Sequence, residues 1–110
     1  MSDASLDLVR GTVDLLVLRT LAWEPMHGYA IAQFVRGRTA GAIAIESAAL
    51  YQALHRLEKK RLVRAWWGVS DANRRAKFYE LTAAGRKALR TQSSDLKAYV
   101  AALYRVLDAK

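Results

Sequence analysis

Over residues 11–23 the apolar side chains Val13, Leu16, Val17 and Leu21 recur at helical spacing. Leu15, Leu18 and Ala22 widen that stripe until mainly Asp14 and Arg19 remain polar. This predicts a helix covered on more than one side. It should end before Pro25, because proline disfavours α geometry in the residue ahead of it and has no N–H to donate. A second helix is predicted from His27 or Gly28, with Ile31, Phe34 and Val35 inward and Arg36 and Arg38 outward, giving way in the glycine-containing segment 37–41. A third is predicted over 48–61. Ser47 is placed as its cap, since a hydroxyl there can accept from an unpaired N–H of the first turn. At about 100° per residue, Leu50, Ala53, Leu54 and Leu57 share the inner face, and Ala48, Gln52, His55, Arg56 and Lys59 share the outer one.

From residue 63 the period changes from helical to alternating. Val63, Ala65, Trp67 and Val69 fall on one side, taken as the core side, and Arg64 and Trp66 on the other, which predicts a strand. Ser70-Asp71-Ala72-Asn73 is turn chemistry, and a second strand over 76–81 returns with Tyr79 and Leu81 inward. The hairpin tip then carries Asn73, Arg74, Arg75 and Lys77. Thr82 is read as the cap of a last helix running to Leu107, in which Leu89, Leu96 and Leu103 repeat every seven residues beside Ser93, Val100 and Leu107. Such a helix would be about 39 Å long and project from a small body. Leaving its seam in water is unfavourable by about 25 cal/mol per Å². A two-fold dimer is therefore expected, with Leu15, Leu18, Leu89, Leu96, Val100, Leu103 and Leu107 at its interface.

The chain has 110 residues, 53% hydrophobic and 25% charged, with no linker or repeat, which bounds it to one domain. Within it, 8–82 forms a compact body and 83–110 the long final helix. Eighteen Lys and Arg against ten Asp and Glu give a formal charge of +8, so a polyanion is the first partner to consider. With no cysteine there is no disulfide, no Fe–S cluster and no thiol nucleophile. His27 and His55 lie on different helices without a Cys or carboxylate at ligand spacing, so neither a metal nor another cofactor is expected. No nucleophile elbow, phosphate loop or carboxylate pair suggests catalysis, and an enzyme is not expected. The most apolar run, 13–18, is too short to span a bilayer. Met1-Ser2-Asp3 opens no export signal, so a cytoplasmic location without membrane contact is expected.

Three helices followed by a basic hairpin make a mainly α domain with a small β-hairpin: a winged helix-turn-helix with a long C-terminal helix. In that arrangement two helices hold the third so that its outer side chains enter the major groove of double-stranded DNA. Gln52 can pair with adenine and Arg56 with guanine, while Lys59 and the wing cations suit phosphates. An alternative for the same basic face is an acidic protein or an anionic membrane surface.

The chain also resembles the PadR-type transcriptional regulators of the short, single-domain kind. The resemblance rests on Gly11-Thr12-Val13-Asp14-Leu15-Leu16-Val17-Leu18, Pro25-Met26-His27-Gly28-Tyr29, Leu50-Tyr51-Gln52-Ala53-Leu54-His55-Arg56-Leu57-Glu58, Asn73-Arg74-Arg75-Ala76-Lys77-Phe78-Tyr79-Glu80-Leu81-Thr82 and Gly85-Arg86. It implies a homodimeric repressor on a two-fold operator, released in some members by a small aromatic molecule. By the same resemblance Tyr51 and the wing cations face DNA, and Tyr29 is structural or close to phosphate. Ala48 and Ala49 stand where the family has Gly followed by Thr or Ser, which removes a phosphate-facing hydroxyl; either the operator is bound with one fewer contact, or Ser47 and Gln52 compensate, or DNA affinity is reduced. Trp66 either packs on Phe78 across the hairpin or joins Trp23 in bordering an aromatic effector site.

Overall fold

The computed structural model describes residues 11–110. The first ten residues, which include the expected start of the body at 8 and the stretch read for export, lie outside the described residues. The elements are α1 (Thr12–Leu21), β1 (Met26–His27), α2 (Gly28–Arg38), α3 (Ser47–Lys59), β2 (Val63–Val69), β3 (Arg75–Leu81) and α4 (Ala83–Leu107). No helix among the described residues is long and apolar enough to cross a membrane.

The inner stripes of α1, α2 and α3 meet in one core. Leu18, Leu21, Ile31, Leu50, Leu54 and Leu57 are almost fully buried there, and Val63, Tyr79 and Leu81 of the sheet close it from the side. Each buried aliphatic side chain contributes about 1.5–3 kcal/mol. The buried Thr20 hydroxyl donates to the Leu16 carbonyl at 2.8 Å, so its burial leaves no polar atom unsatisfied.

The sheet has three strands, in the order β1-β3-β2 and antiparallel throughout. The short β1 was not expected. Its two residues pair Met26 with Tyr79 and His27 with Phe78, carrying the entry of α2 onto the free edge of the hairpin. Two residues offer too little alternation to be read as a strand.

Both ends of α3 differ from the sequence expectation. Ser47 is not the cap: Glu46 occupies that position, with no side-chain cap bond, and Ser47 is already helical and exposed. Ile45, buried just ahead, fixes the chain so that the first turn closes from Leu50 N–H to the Glu46 carbonyl. At the other end the helix stops at Lys59, two residues early. Leu62 N–H donates to Leu57 and Arg61 N–H to Glu58, a closing turn that puts Arg61 in the left-handed region at φ 62°.

In β2 the alternation is as predicted but the burial is not. Val63 is buried and Ala65 half-buried, whereas Trp67 is 58% exposed and Val69 is exposed too. All four share the core side of the strand, but the outer half of the hairpin extends past the helices that form the core.

Thr82 caps α4 as expected, its side chain accepting from Gly85 N–H at 3.0 Å while its hydroxyl donates to the Arg61 carbonyl. The first turns of α4 pack on the body through Ala88 and Leu89. Beyond them the seam emerges: Leu96 is half-buried, Val100 and Leu103 are exposed, and Leu107 is 73% exposed. Leu15 and Leu18 do not match that exposed seam. Both are buried within the single chain, Leu18 completely, because α2, α3 and α4 all pack around α1. The expectation that they need a second copy for cover is corrected.

Candidate nucleic-acid interface

Helix α3 presents Ala48, Gln52, His55 and Lys59 along its exposed ridge. Ala49, by contrast, packs partly against the core. The two edges of that ridge are tied to other elements. On the α1 side, Arg56 donates from Nη2 to Asp14 Oδ1 at 2.6 Å and from Nε to Oδ2 at 3.3 Å. That hydrogen bonding to Asp14 raises the Arg56 pKa above its usual range. On the wing side, Lys77 donates to Glu58 Oε1 at 3.2 Å. Arg56, expected to read guanine, and Lys77, expected to meet phosphate, are thus both engaged within the chain.

Tyr51 lies on the wing side of α3 and packs over Gly28, the first residue of α2. A β-carbon at Gly28 would fall 2.5 Å from the Tyr51 hydroxyl oxygen. The α2 entry is held by His27, whose Nδ1 accepts from Ala30 N–H at 3.2 Å and whose ring meets Phe78 edge-on at 5.3 Å. One residue on, Tyr29 is exposed, its hydroxyl accepting from Gln33 at 2.8 Å. Tyr29 and Tyr51, assigned from the family resemblance, are brought to one place.

The wing completes the surface. Its turn closes through Ser70 N–H to Arg74 and Asn73 N–H to Ser70, with Asn73 left-handed at φ 60°. At its tip Arg74 and Arg75 are exposed. Arg75 places its guanidinium 4.5 Å from the centre of the Trp67 ring, a cation–π contact that orients the arginine. At the base of the wing, burial raises the Tyr79 hydroxyl pKa against the lowering influence of Lys77.

Between the wing, the α2 entry and Tyr51 runs an open cleft of about 1230 Å³, bordered by Tyr29, Tyr51, Trp67, Arg74, Arg75 and Lys77 among others. Trp67 is the residue that sequence reasoning missed. Its alternation parity put it on the correct side, and only the hairpin's overhang, invisible in the sequence, opened that side to solvent.

Trp23 and Trp66 do not border this cleft. Trp66 stacks on Phe78 at 6.1 Å and 15° between planes, the packing alternative left open by the sequence. Trp23 packs on Phe34, with the Arg38 guanidinium 5.0 Å from its ring centre.

The description "Transcriptional regulator PadR-like family" belongs to a family model that matches residues 17–91. The chain is 38% identical over 81 residues to an uncharacterized protein of Lysinibacillus sphaericus, which is 73% of each chain. Among solved structures it is similar to a transcriptional regulator from Clostridium thermocellum, with TM-score 0.79, 26% identity and coverage of 87% of this chain and 90% of that one. A PadR family transcription regulator from Clostridium difficile superposes with TM-score 0.76 at 27% identity, covering 88% and 99%. One from Eggerthella lenta gives 0.77 at 29%, covering 92% and 86%. With a family match that runs from α1 to the start of α4, across every element that builds this interface, the chain belongs to the PadR-like family of transcriptional regulators.

Proposed function

We propose that the protein is a dimeric repressor that reads an inverted-repeat operator with α3 and grips the backbone with the wing. The observation that carries this reading is the exposed ridge Gln52, His55 and Lys59 on α3, the helix whose Tyr51 borders one cleft with the α2 entry and with Arg74 and Arg75 of the wing. Gln52 and His55 are hydrogen-bonding groups suited to base edges, Gln52 to adenine in particular. Lys59, Arg74 and Arg75 supply phosphate contacts, and Tyr29 and Tyr51 supply hydroxyls beside them. Ser47 at the helix entry and Asn73 at the wing turn are exposed and offer further hydrogen-bonding groups.

A second copy covers the distal seam of α4, where Val100, Leu103 and Leu107 are exposed together with Tyr99, Tyr104 and Val106. Contiguous apolar exposure of that kind marks an association surface. Two α3 helices related by a two-fold axis then meet half-sites about 34–36 Å apart. Control by a small aromatic molecule rests on Trp23 and Trp66, whose remaining faces are open to solvent, and is read by quenching of their fluorescence with and without bound DNA.

The test of the whole reading is selection of bound sequences from random DNA, followed by salt titration on the winner. An inverted repeat should emerge, and log affinity should fall linearly with log salt. Equal affinity for all sequences would remove base reading. A protein that ignores DNA but binds acidic vesicles or acidic proteins would put the alternative partner in its place.

A further inference from the structure

Both edges of the α3 ridge carry a cation that the protein itself neutralises. Arg56 is gripped by both carboxylate oxygens of Asp14, and Lys77 is paired with Glu58. The Asp14 side chain is only 14% exposed, against 48% for Arg56, so the carboxylate is a fixed group and the arginine is drawn towards it. Asp14 also sits in the first turn of α1, where the helix dipole favours a negative charge. Nε and Nη2 are both used on Asp14, which takes the side-on fork of Arg56 and offsets its charge, leaving only the end-on N–H groups for a second anion.

This matters because a regulator with a net charge of +8 binds any DNA through its cations, and the number of phosphates neutralised sets that non-specific affinity. Specificity is a ratio, so lowering affinity for the wrong sequences raises it as effectively as adding contacts to the right one. We propose that Asp14, and Glu58 on the opposite edge, are specificity-determining residues that withhold Arg56 and Lys77 from the phosphate backbone, leaving base reading to Gln52 and His55 between them. The inference rests on α3 being the DNA-reading helix.

The experiment compares wild type, Asp14→Asn, Glu58→Gln, the double variant Asp14→Asn/Arg56→Gln, and Asp95→Asn, which adds the same charge on the exposed side of α4. Binding to the selected operator and to random duplex is measured across salt concentrations. Asp14→Asn should steepen the log–log salt slope by about 0.9 for each freed arginine, about 1.8 for a dimer. It should tighten binding to random duplex and lower the operator-to-random ratio. Glu58→Gln should do the same through Lys77. The double variant should return slope and ratio to wild-type values, which a merely structural role for the pair would not produce, and Asp95→Asn should leave both near wild type. An Asp14→Asn slope equal to wild type, or an increase that survives in the double variant, overturns the proposal while DNA reading by α3 stands. A wild-type protein that binds no DNA overturns both.

Discussion

The Tyr51 hydroxyl lies so close over Gly28 that a β-carbon on the glycine would meet it at 2.5 Å, and this contact couples the entry of α2 to the exposed side of α3. Gly28→Ala should leave the fold in place, because the group that must move is the outer end of a half-exposed side chain. It should displace the hydroxyl. If Tyr51 donates to a phosphate, a charge-assisted bond of about 1.5–3 kcal/mol is lost and DNA affinity falls by about tenfold or more. Tyr51→Phe should show the same loss. Affinities unchanged in both variants would remove Tyr51 from the interface.

Gly85 answers to a different constraint. A β-carbon there would fall 2.0 Å from the Leu62 carbonyl oxygen, which is backbone and cannot swing aside. Alanine improves helix propensity by about 1 kcal/mol, but the overpacking costs about 1–3 kcal/mol or more. Gly85→Ala should therefore lower the melting temperature, and a rise would show that α4 can pull away from the turn between α3 and β2 freely.

Arg61 holds a left-handed conformation at the end of α3, costing about 1–2 kcal/mol for a residue with a β-carbon. Arg61→Gly should be stabilising by somewhat less than that, since glycine also gains entropy when unfolded. Urea unfolding provides the check: the midpoint should move up with an unchanged slope.

The dimer surface proposed on α4 can be broken by charge. Leu96→Glu with Leu103→Glu would place unpaired carboxylates where a second copy should sit, an arrangement that costs several kcal/mol. Light scattering should then report the mass of one chain. A dimer that persists would move the interface off this seam.

Tyr79 gives an alkaline signature. Burial raises its folded pKa above the usual value of about 10, so as pH climbs past that value the unfolded chain loses the proton first. The folded state then binds more protons, and stability falls with rising pH. The stability difference between wild type and Tyr79→Phe should be constant below about pH 9 and shift in favour of the phenylalanine variant above pH 10. A difference that stays flat to pH 11 would mean that Tyr79 ionises equally well in both states.

The four helices, the hairpin, the Thr82 cap and the outer ridge of α3 were legible in the sequence because each is set by local period: 3.6 for the helices and 2 for the strands. Alternation even placed Trp67 on the correct side of β2. It could not say how far along the strand that side stays covered, since coverage depends on where α2 and α3 end in space. For the same reason Leu15 and Leu18 read as surplus apolar area, when three other helices meet around α1 and bury them. The third strand, β1, has only two residues and exists through its pairing with β3.

The sequence by itself determined the four helices and the hairpin, their inner and outer faces, the basic character of the wing and the family to which the chain belongs. Only the tertiary structure decided which cations stay free. Arg56 and Asp14 stand 42 positions apart and Lys77 and Glu58 stand 19 apart, and no local pattern joins them. An ion pair depends on the distance between two charges in the folded chain, and that distance follows from how α1, α3 and β3 pack, not from the period of any one of them.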